Sequence, residues 1–132
     1  VAVHYDSNTI SYAELLRVYW RNIDPYDAGG QFCDRGDSYS PAIFVNDDEQ
    51  AQLAKQSFQY AAKELSISIQ DLKVEVREAG QFWLAEDYHQ DFAARNNIKY
   101  NFYRYSCGRD SRLDEVWGVN ARQSTDWAEG SY

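Results

Sequence analysis

The sequence has little cysteine, no cluster of basic residues and no long apolar run. Its two cysteines, Cys33 and Cys107, are too few for a disulfide framework; they could form one bridge, remain free or take part in redox chemistry. Nucleic-acid binding needs clustered Lys and Arg, and the net charge of −8 argues against it. Without a run of about 18 apolar residues or a charged leader, the sequence predicts neither a membrane span nor a signal peptide.

The length and aromatic content of the chain fit one domain with a sizeable core. A chain of 132 residues can bury roughly two thirds of its unfolded surface. Aromatics make up 16% of it, which suits an aromatic core or an aromatic-walled pocket. We expect a domain over residues 1–118 and a loosely held polar tail over residues 119–132. We expect a cytoplasmic protein, or a periplasmic one if a leader preceding Val1 has been removed.

Caps and apolar periodicity predict helices alternating with short strands. Helices are expected to begin after Ser11 and Asn46, because each is followed three residues later by glutamate. The second helix has an apolar stripe from Ala54 to Leu65 that would face a sheet. Strands are predicted at residues 1–5, 42–45 and 72–76, and further helices at residues 85–96 and on both sides of Gly108.

Polar and aromatic groups gather just before the predicted strand at residues 42–45. Cys33 is a thiol, Asp34 a carboxylate and Tyr39 a phenol, with Gly36 at a turn. Such groups at the mouth of a strand are typical of ligand sites, so Asp34 and Tyr39 are the first candidates. The alternative is a simple turn, in which Cys33 is a small buried hydrophobe and Tyr39 packs.

A second cluster occupies residues 85–90. It would place Glu86, Asp87, Tyr88 and His89 within about a turn and a half of helix. Carboxylates, a phenol and an imidazole together are suited to acid–base chemistry. The alternative is that His89 is a structural histidine whose hydrogen bonds are satisfied.

A third cluster surrounds Cys107. Glycine follows this thiol, and the guanidinium of Arg109 lies near enough in sequence to lower the pKa of the thiol. The alternative is that Arg109 and Asp110 form a surface ion pair, which stabilises by only about 0–1 kcal/mol.

Segments spread over residues 1–118 share their order and spacing with one known family. They are Tyr5-Asp6, Ile10-Ser11-Tyr12, Glu14-Leu15-Leu16, Tyr19-Trp20, Asp24-Pro25, Asp34-x-Gly36-x-x-Tyr39, Ala42-Ile43 and Ala85-Glu86-Asp87-Tyr88-His89-Gln90. Each fragment alone is weak, but together they resemble the A-type peptide methionine sulfoxide reductases.

The resemblance implies a fold and a reaction. The fold would be an α+β domain, a mixed-sheet α/β plait of ferredoxin-like type with flanking helices. The reaction would reduce the S epimer of methionine sulfoxide, in peptides or free. A cysteine thiolate attacks the sulfur, a sulfenic acid forms, and a second thiol resolves it to a disulfide that thioredoxin or dithiothreitol reduces. No bound cofactor or metal is expected.

The resemblance also implies roles for particular residues. Tyr39 would hydrogen-bond near the sulfoxide oxygen, and Asp34 would help to hold the substrate pocket. Cys107 stands where a resolving cysteine could lie, although the family's tail is richer in glycine. We expect Cys33 to be structural, because a neighbouring carboxylate raises the pKa of a thiol. The residues expected to lie behind the pocket are Glu86, Asp87, Tyr88 and His89, with His89 orienting the pocket loop without transferring protons.

The sequence also departs from the family pattern. It has neither the Gly-Cys-Phe-Trp motif of the nucleophile nor the His-Ala-Glu stretch of the acid. We therefore expect the first strand, helix and strand of the plait to be missing, and the nucleophile to lie outside this chain. Two other readings stay open: a sulfoxide-binding or assembly module without turnover, and a Cys–His thiol hydrolase that uses Cys33 or Cys107 with His89.

Overall fold

The computed structural model describes residues 1–127, which form an α+β protein with small sheets. The α-helices are α1 (Tyr12–Trp20), α2 (Asp48–Leu65), α3 (Phe92–Arg95), α4 (Asn97–Ser106) and α5 (Arg109–Trp117). The strands are β1 (Gly30–Gln31), β2 (Asp34–Arg35), β3 (Ala42–Val45) and β4 (Glu75–Glu78). No helix within the described part of the chain is both long and apolar enough to cross a bilayer.

The strands pair two by two. β1 and β2 form a short antiparallel hairpin, whereas β3 and β4 are parallel, with Ile43 opposite Val76. Leu72 and Val74 are buried as the alternating pattern predicted, but β4 begins only at Glu75. The strand predicted at residues 1–5 is wrong: this segment is exposed and unpaired, because no neighbouring strand offers it hydrogen bonds.

The caps of α1 and α2 show how local sequence sets the helix starts. At α1 the predicted capping box is present: the hydroxyl of Ser11 accepts from the Glu14 amide at 3.2 Å, and the Glu14 carboxylate accepts from the Ser11 amide at 2.8 Å. At α2 the predicted cap is off by one residue. Asp47 is the N-cap, and its carboxylate accepts a hydrogen bond from the Gln50 amide at 2.7 Å. Aspartate is as good an N-cap residue as asparagine, so the sequence alone did not separate the two neighbouring positions.

The core lies between α1, α2, the β3–β4 pair and α5. The predicted stripe of α2 is confirmed, since Ala54 and Ala61 are fully buried. Phe58 packs edge to face with Trp20, with 4.8 Å between the ring centroids. The indole of Trp20 donates to the hydroxyl of buried Ser57 at 2.9 Å. That hydroxyl donates in turn to the carbonyl of Ala54 at 2.6 Å. Two consecutive hydrogen bonds therefore lie within the apolar core.

We expect Ser57→Ala to lower the free energy of unfolding by about 1–3 kcal/mol, because it leaves the buried Trp20 N–H without an acceptor. Urea unfolding monitored by circular dichroism measures the change. Ser40→Ala is the control: Ser40 also donates to a carbonyl, that of Ala28, but in an exposed turn. Its expected cost is within about 0.5 kcal/mol. Equal costs for the two variants would contradict the role of Ser57.

The helix predicted at residues 85–96 is wrong in its first half. Asp87–His89 form a 3₁₀ turn, and α3 covers only Phe92–Arg95. Asp91 separates them with a left-handed backbone at φ 54°, which a continuous helix cannot include. By contrast, the hinge predicted at Gly108 is confirmed, since Gly108 lies between α4 and α5 with φ 66°.

The segment after residue 118 is not loosely held as far as the structure describes it. Ala121 and Trp127 are buried, and the Arg122 amide donates to the Arg21 carbonyl at 2.9 Å. The prediction of a loose tail was based on the polarity of this segment. Its backbone carbonyls in fact accept hydrogen bonds from Arg21, which directly follows α1. Residues 128–132 of the predicted tail lie outside the described residues, and the domain boundary at residue 118 stays a prediction.

Candidate functional site

The β1–β2 hairpin positions Asp34. A Cβ on Gly30 would collide with the carbonyl oxygen of Asp34, so only glycine allows the strands to approach this closely. Arg35 donates to Asp27 at 2.9 Å, and this hydrogen bond holds the pKa of Asp27 below its ordinary value. The ion pair and the close strands fix the backbone on both sides of Asp34.

Tyr39 follows Asp34 after one short turn. It ends the 3₁₀ turn Asp37–Tyr39, in which its amide donates to the carbonyl of Gly36 at 3.0 Å. Tyr39 is 50% exposed.

A tyrosine from α4 reaches the Asp34 carboxylate. The hydroxyl of Tyr103 donates to Asp34 at 2.5 Å across 69 residues of sequence. This hydrogen bond is the main reason why the pKa of Tyr103 is raised, with smaller contributions from burial and from the charges of Asp34 and Tyr39. The structure thus pairs the phenol of Tyr103 on α4 with the carboxylate of Asp34 on the hairpin.

Cys33 and Cys107 form a disulfide. The bond joins the turn of the hairpin to the end of α4, with the two Cα atoms 5.4 Å apart. Cys33 is exposed, which contradicts its interpretation as a small buried hydrophobe, and Cys107 is half-buried. The pairing answers a question that the sequence left open. The role of Cys107 as a resolving thiol stays a prediction.

A pocket of about 110 Å³ opens beside the disulfide. It is lined by Phe32, Cys33, Asp34, Tyr100, Tyr103, Arg104, Cys107 and Arg109. Asp34 lines this pocket and Tyr39 does not, and the substrate-binding role of both stays a prediction. A larger cleft of about 440 Å³ near α5 includes none of the predicted site residues.

Arg109 does not form the predicted surface pair with Asp110. Its guanidinium lies 4.4 Å above the ring of Phe32, donates to the carbonyl of Asn22 at 3.1 Å, and has a pKa lowered chiefly by burial. Asp110 instead accepts from Arg104 at 2.9 Å, which lowers the pKa of Asp110. The two arginines thus bring positive charge to the pocket wall that contains Asp34.

The cluster at residues 85–90 is exposed and separate from the hairpin. Glu86 and His89 lie 3.9 Å apart, and the His89 ring is 4.3 Å from that of Tyr88. Among the described residues, no hydrogen bond or ion pair links Glu86, Asp87, Tyr88 or His89 to Asp34 or Tyr39. Their role behind the pocket stays a prediction.

The geometry does not favour a Cys–His hydrolase. Both cysteines are in the disulfide, so neither offers a thiol in this state. The described contacts of the His89 ring are with the Glu86 carboxylate, 3.9 Å from its Nε2 atom, and with the ring of Tyr88, not with either sulfur. Within residues 1–127 no group of three or more His, Cys, Asp and Glu could hold a metal ion.

Sequence reasoning missed four side chains of the pocket. They are Phe32, Tyr100, Tyr103 and Arg104, although residues 99–118 are visibly rich in aromatics and arginine. The enrichment alone could not predict that these side chains line the pocket, because no local pattern indicates that α4 folds back onto the hairpin.

Known proteins share most of this chain. A family model described as peptide methionine sulfoxide reductase matches residues 1–121. Peptide methionine sulfoxide reductase MsrA 2 of Caulobacter vibrioides is 49% identical over 118 residues, covering 89% of this chain and 59% of that protein. MsrA 2 of Rhizobium meliloti is 45% identical over 121 residues, covering 92% and 60%.

A two-part relative is also similar. Peptide methionine sulfoxide reductase MsrA/MsrB of Vibrio cholerae is 43% identical over 120 residues, covering 91% of this chain and 32% of that protein. The chain therefore spans less than two thirds of the length of each of these three relatives. The matched region includes the hairpin, Tyr39 and α4. The chain belongs to the peptide methionine sulfoxide reductase family.

Proposed function

We propose that this chain forms the polar wall of the substrate pocket in a peptide methionine sulfoxide reductase. The observation that carries this proposal is the Asp34 carboxylate at the wall of a pocket, with Tyr39 following it in the chain after one short turn, outside the lining of that pocket. A sulfoxide oxygen accepts hydrogen bonds, and an accessible phenol can donate one. The substrate would be the S epimer of methionine sulfoxide, in peptides, in proteins or free.

The nucleophile would come from a segment outside these 132 residues that contains Gly-Cys-Phe-Trp. Its thiolate attacks the sulfoxide sulfur while the oxygen is protonated, with Tyr39 donating a hydrogen bond to that oxygen. The oxygen passes to the cysteine as a sulfenic acid, and the reduced thioether, methionine, leaves. Asp34 would hold the substrate by polar contact at the pocket wall.

The small β3–β4 sheet supports the presence of such a segment. Ile43 and Val45 are buried in the core, but Phe44 between them is 55% exposed, with the guanidinium of Arg77 6.0 Å from the centre of its ring. Within residues 1–127 neither strand has a second partner. Parallel sheets are normally covered on both faces, so we propose that further strands complete the α/β plait here.

We expect the 132-residue chain alone to have negligible reductase activity, because it lacks the Gly-Cys-Phe-Trp motif that carries the family's nucleophile. The assay follows methionine formation from methionine sulfoxide with dithiothreitol, with and without a supplied segment that contains Gly-Cys-Phe-Trp. Turnover should require the segment and should vanish when its cysteine is replaced by serine.

Two outcomes would change the proposal. Substrate binding without turnover in the presence of the segment would favour a sulfoxide-binding or assembly module. Reduction by the chain alone that is lost in Cys107→Ser would show that the nucleophile is already present. Both are read from the same preparation, by calorimetry and by product analysis.

We propose that the oxidised enzyme is recycled by a dithiol protein of the thioredoxin class, with no bound cofactor. The exposed position of Cys33 supports this, because a reductant must reach one sulfur of the disulfide. A cytoplasmic location is proposed with it, since disulfides that occur there are usually transient. Thiol labelling of Cys33 and Cys107 after incubation with thioredoxin measures the reduction of the disulfide.

A further inference from the structure

Helix α4 has little hold on the rest of the protein. It buries no residue, and Ile98, Phe102 and Tyr105 are each more than 70% exposed. Helix α5, by contrast, buries Leu113 and Trp117 in the core. The two neighbouring helices therefore differ sharply in their attachment, and α4 depends on a few specific contacts.

Two contacts link α4 to the Asp34 hairpin. One is the hydrogen bond from Tyr103 to Asp34, and the other is the disulfide from Cys107, at the C-cap of α4, to Cys33. The remaining described side-chain contacts of α4 run within the helix or to α5, as in the bond from Arg104 to Asp110. Gly108 is the hinge about which α4 could move, since it has φ 66° and a Cβ added there would meet nothing within 4 Å.

We propose that the redox state of the Cys33–Cys107 disulfide determines whether Tyr103 can position the carboxylate of Asp34. With the disulfide formed, α4 is latched to the hairpin and Tyr103 fixes one oxygen of Asp34. With the disulfide reduced, one hydrogen bond at an exposed site is left to hold α4 to the hairpin. The helix then moves about Gly108 and the carboxylate is released. Tyr103 is thus a positioning residue, and a thiol reductant controls its action.

The reductant is a dithiol. One of its thiolates attacks a sulfur of the Cys33–Cys107 bond and forms a mixed disulfide, and its second thiol displaces the protein sulfur. Two electrons and two protons pass to Cys33 and Cys107, and the reductant leaves as a disulfide. Access is provided by the exposed side of Cys33. Arg104 and Arg109 line the same pocket and would stabilise the departing thiolate.

Hydrogen–deuterium exchange of the whole chain, oxidised and then reduced with dithiothreitol, tests the latch. Amides of residues 97–106 should exchange at least about 10-fold faster after reduction, while those of α2 and α5 change by less than about 2-fold. The double variant Cys33→Ser, Cys107→Ser should resemble the reduced protein and should not respond to dithiothreitol. Unchanged exchange in α4, or equal acceleration throughout, would overturn the proposal.

Nuclear magnetic resonance of the Asp34 carboxyl carbon tests the positioning role. Tyr103→Phe should shift this signal when the disulfide is formed and leave it nearly unchanged when it is reduced. An equal effect of Tyr103→Phe in both states would mean that α4 does not move away, and would overturn the proposal. The latch proposal rests on the proposed function only in assigning substrate contact to Asp34. Neither measurement needs turnover, so the latch and the proposed function can fail separately.

Discussion

Arg21→Ala is expected to lower the free energy of unfolding by about 3–5 kcal/mol, because it leaves a largely buried carboxylate without its cation. Arg21 is completely buried and donates to Glu64 at 3.0 Å. The side chain of Glu64 is only 10% exposed, so water cannot replace the lost partner well. Asn120 still donates to Glu64 at 2.7 Å, but a neutral amide compensates only part of the charge.

The same substitution also removes the anchor of the C-terminal segment. The Arg21 guanidinium donates to the carbonyls of Gln123 and Asp126, both at 3.4 Å, and to that of Thr125. It also lies 5.0 Å from the ring of Trp127. The variant would therefore expose apolar surface at Trp127 in addition to leaving the charge of Glu64 unpaired. The loss of unfolding free energy should be in the upper part of the 3–5 kcal/mol range, at about 5 kcal/mol.

Urea unfolding and thermal melting of the full chain measure this effect, with an expected fall in Tm of roughly 10–20 °C. Arg77→Ala is the matched control, since Arg77 pairs with Glu75 at 2.6 Å but both side chains are well exposed. That variant should lose about 1 kcal/mol or less. A cost below about 1 kcal/mol for Arg21→Ala would mean that Glu64 finds water or another donor in the folded protein.

The Arg21 cluster illustrates what the sequence could and could not predict about the fold. Periodicity and capping located α1, α2 and the β3–β4 strands, because those signals are local. Arg21 directly follows α1 and looks like an ordinary surface arginine. Its burial results from the return of residues 121–127 over α1, about a hundred residues later in the chain, which no local pattern specifies.

Residues 85–96 show the opposite failure. Their composition suits a helix, yet a left-handed Asp91 divides them and most of the side chains are exposed. Helices this short depend on packing against other elements, and residues 79–89 are all exposed. Propensity alone therefore predicted a helix that the tertiary structure does not support.

The candidate site divides in the same way. Asp34 and Tyr39 were identified because they lie five residues apart in one motif. Their neighbours Tyr103 and Cys107 come from α4, and the pairing of two cysteines 74 residues apart cannot be read from spacing. Asp34 and residues of α4 line one pocket, whereas Tyr39 is not among its lining residues, and the roles of Asp34 and Tyr39 stay predictions.

Tyr39→Phe in the complete enzyme is expected to lower kcat by about 100–1000-fold with little change in KM. The hydroxyl of Tyr39 should act mainly on the sulfoxide oxygen as negative charge develops there, and removal of one such donor costs about this much. The backbone of the 3₁₀ turn holds Tyr39 through its amide rather than its hydroxyl, so the phenylalanine ring should keep its place.

Steady-state kinetics with methionine sulfoxide separate the two parameters, and Tyr105→Phe serves as the control. Tyr105 is 84% exposed on α4, so loss of its hydroxyl should leave both kcat and KM unchanged within about 2-fold. An increase in KM alone for Tyr39→Phe would show that its hydroxyl binds substrate and transition state equally. In that case Tyr39 would contribute only to recognition, and protonation of the oxygen would rest entirely on the segment that carries the nucleophile.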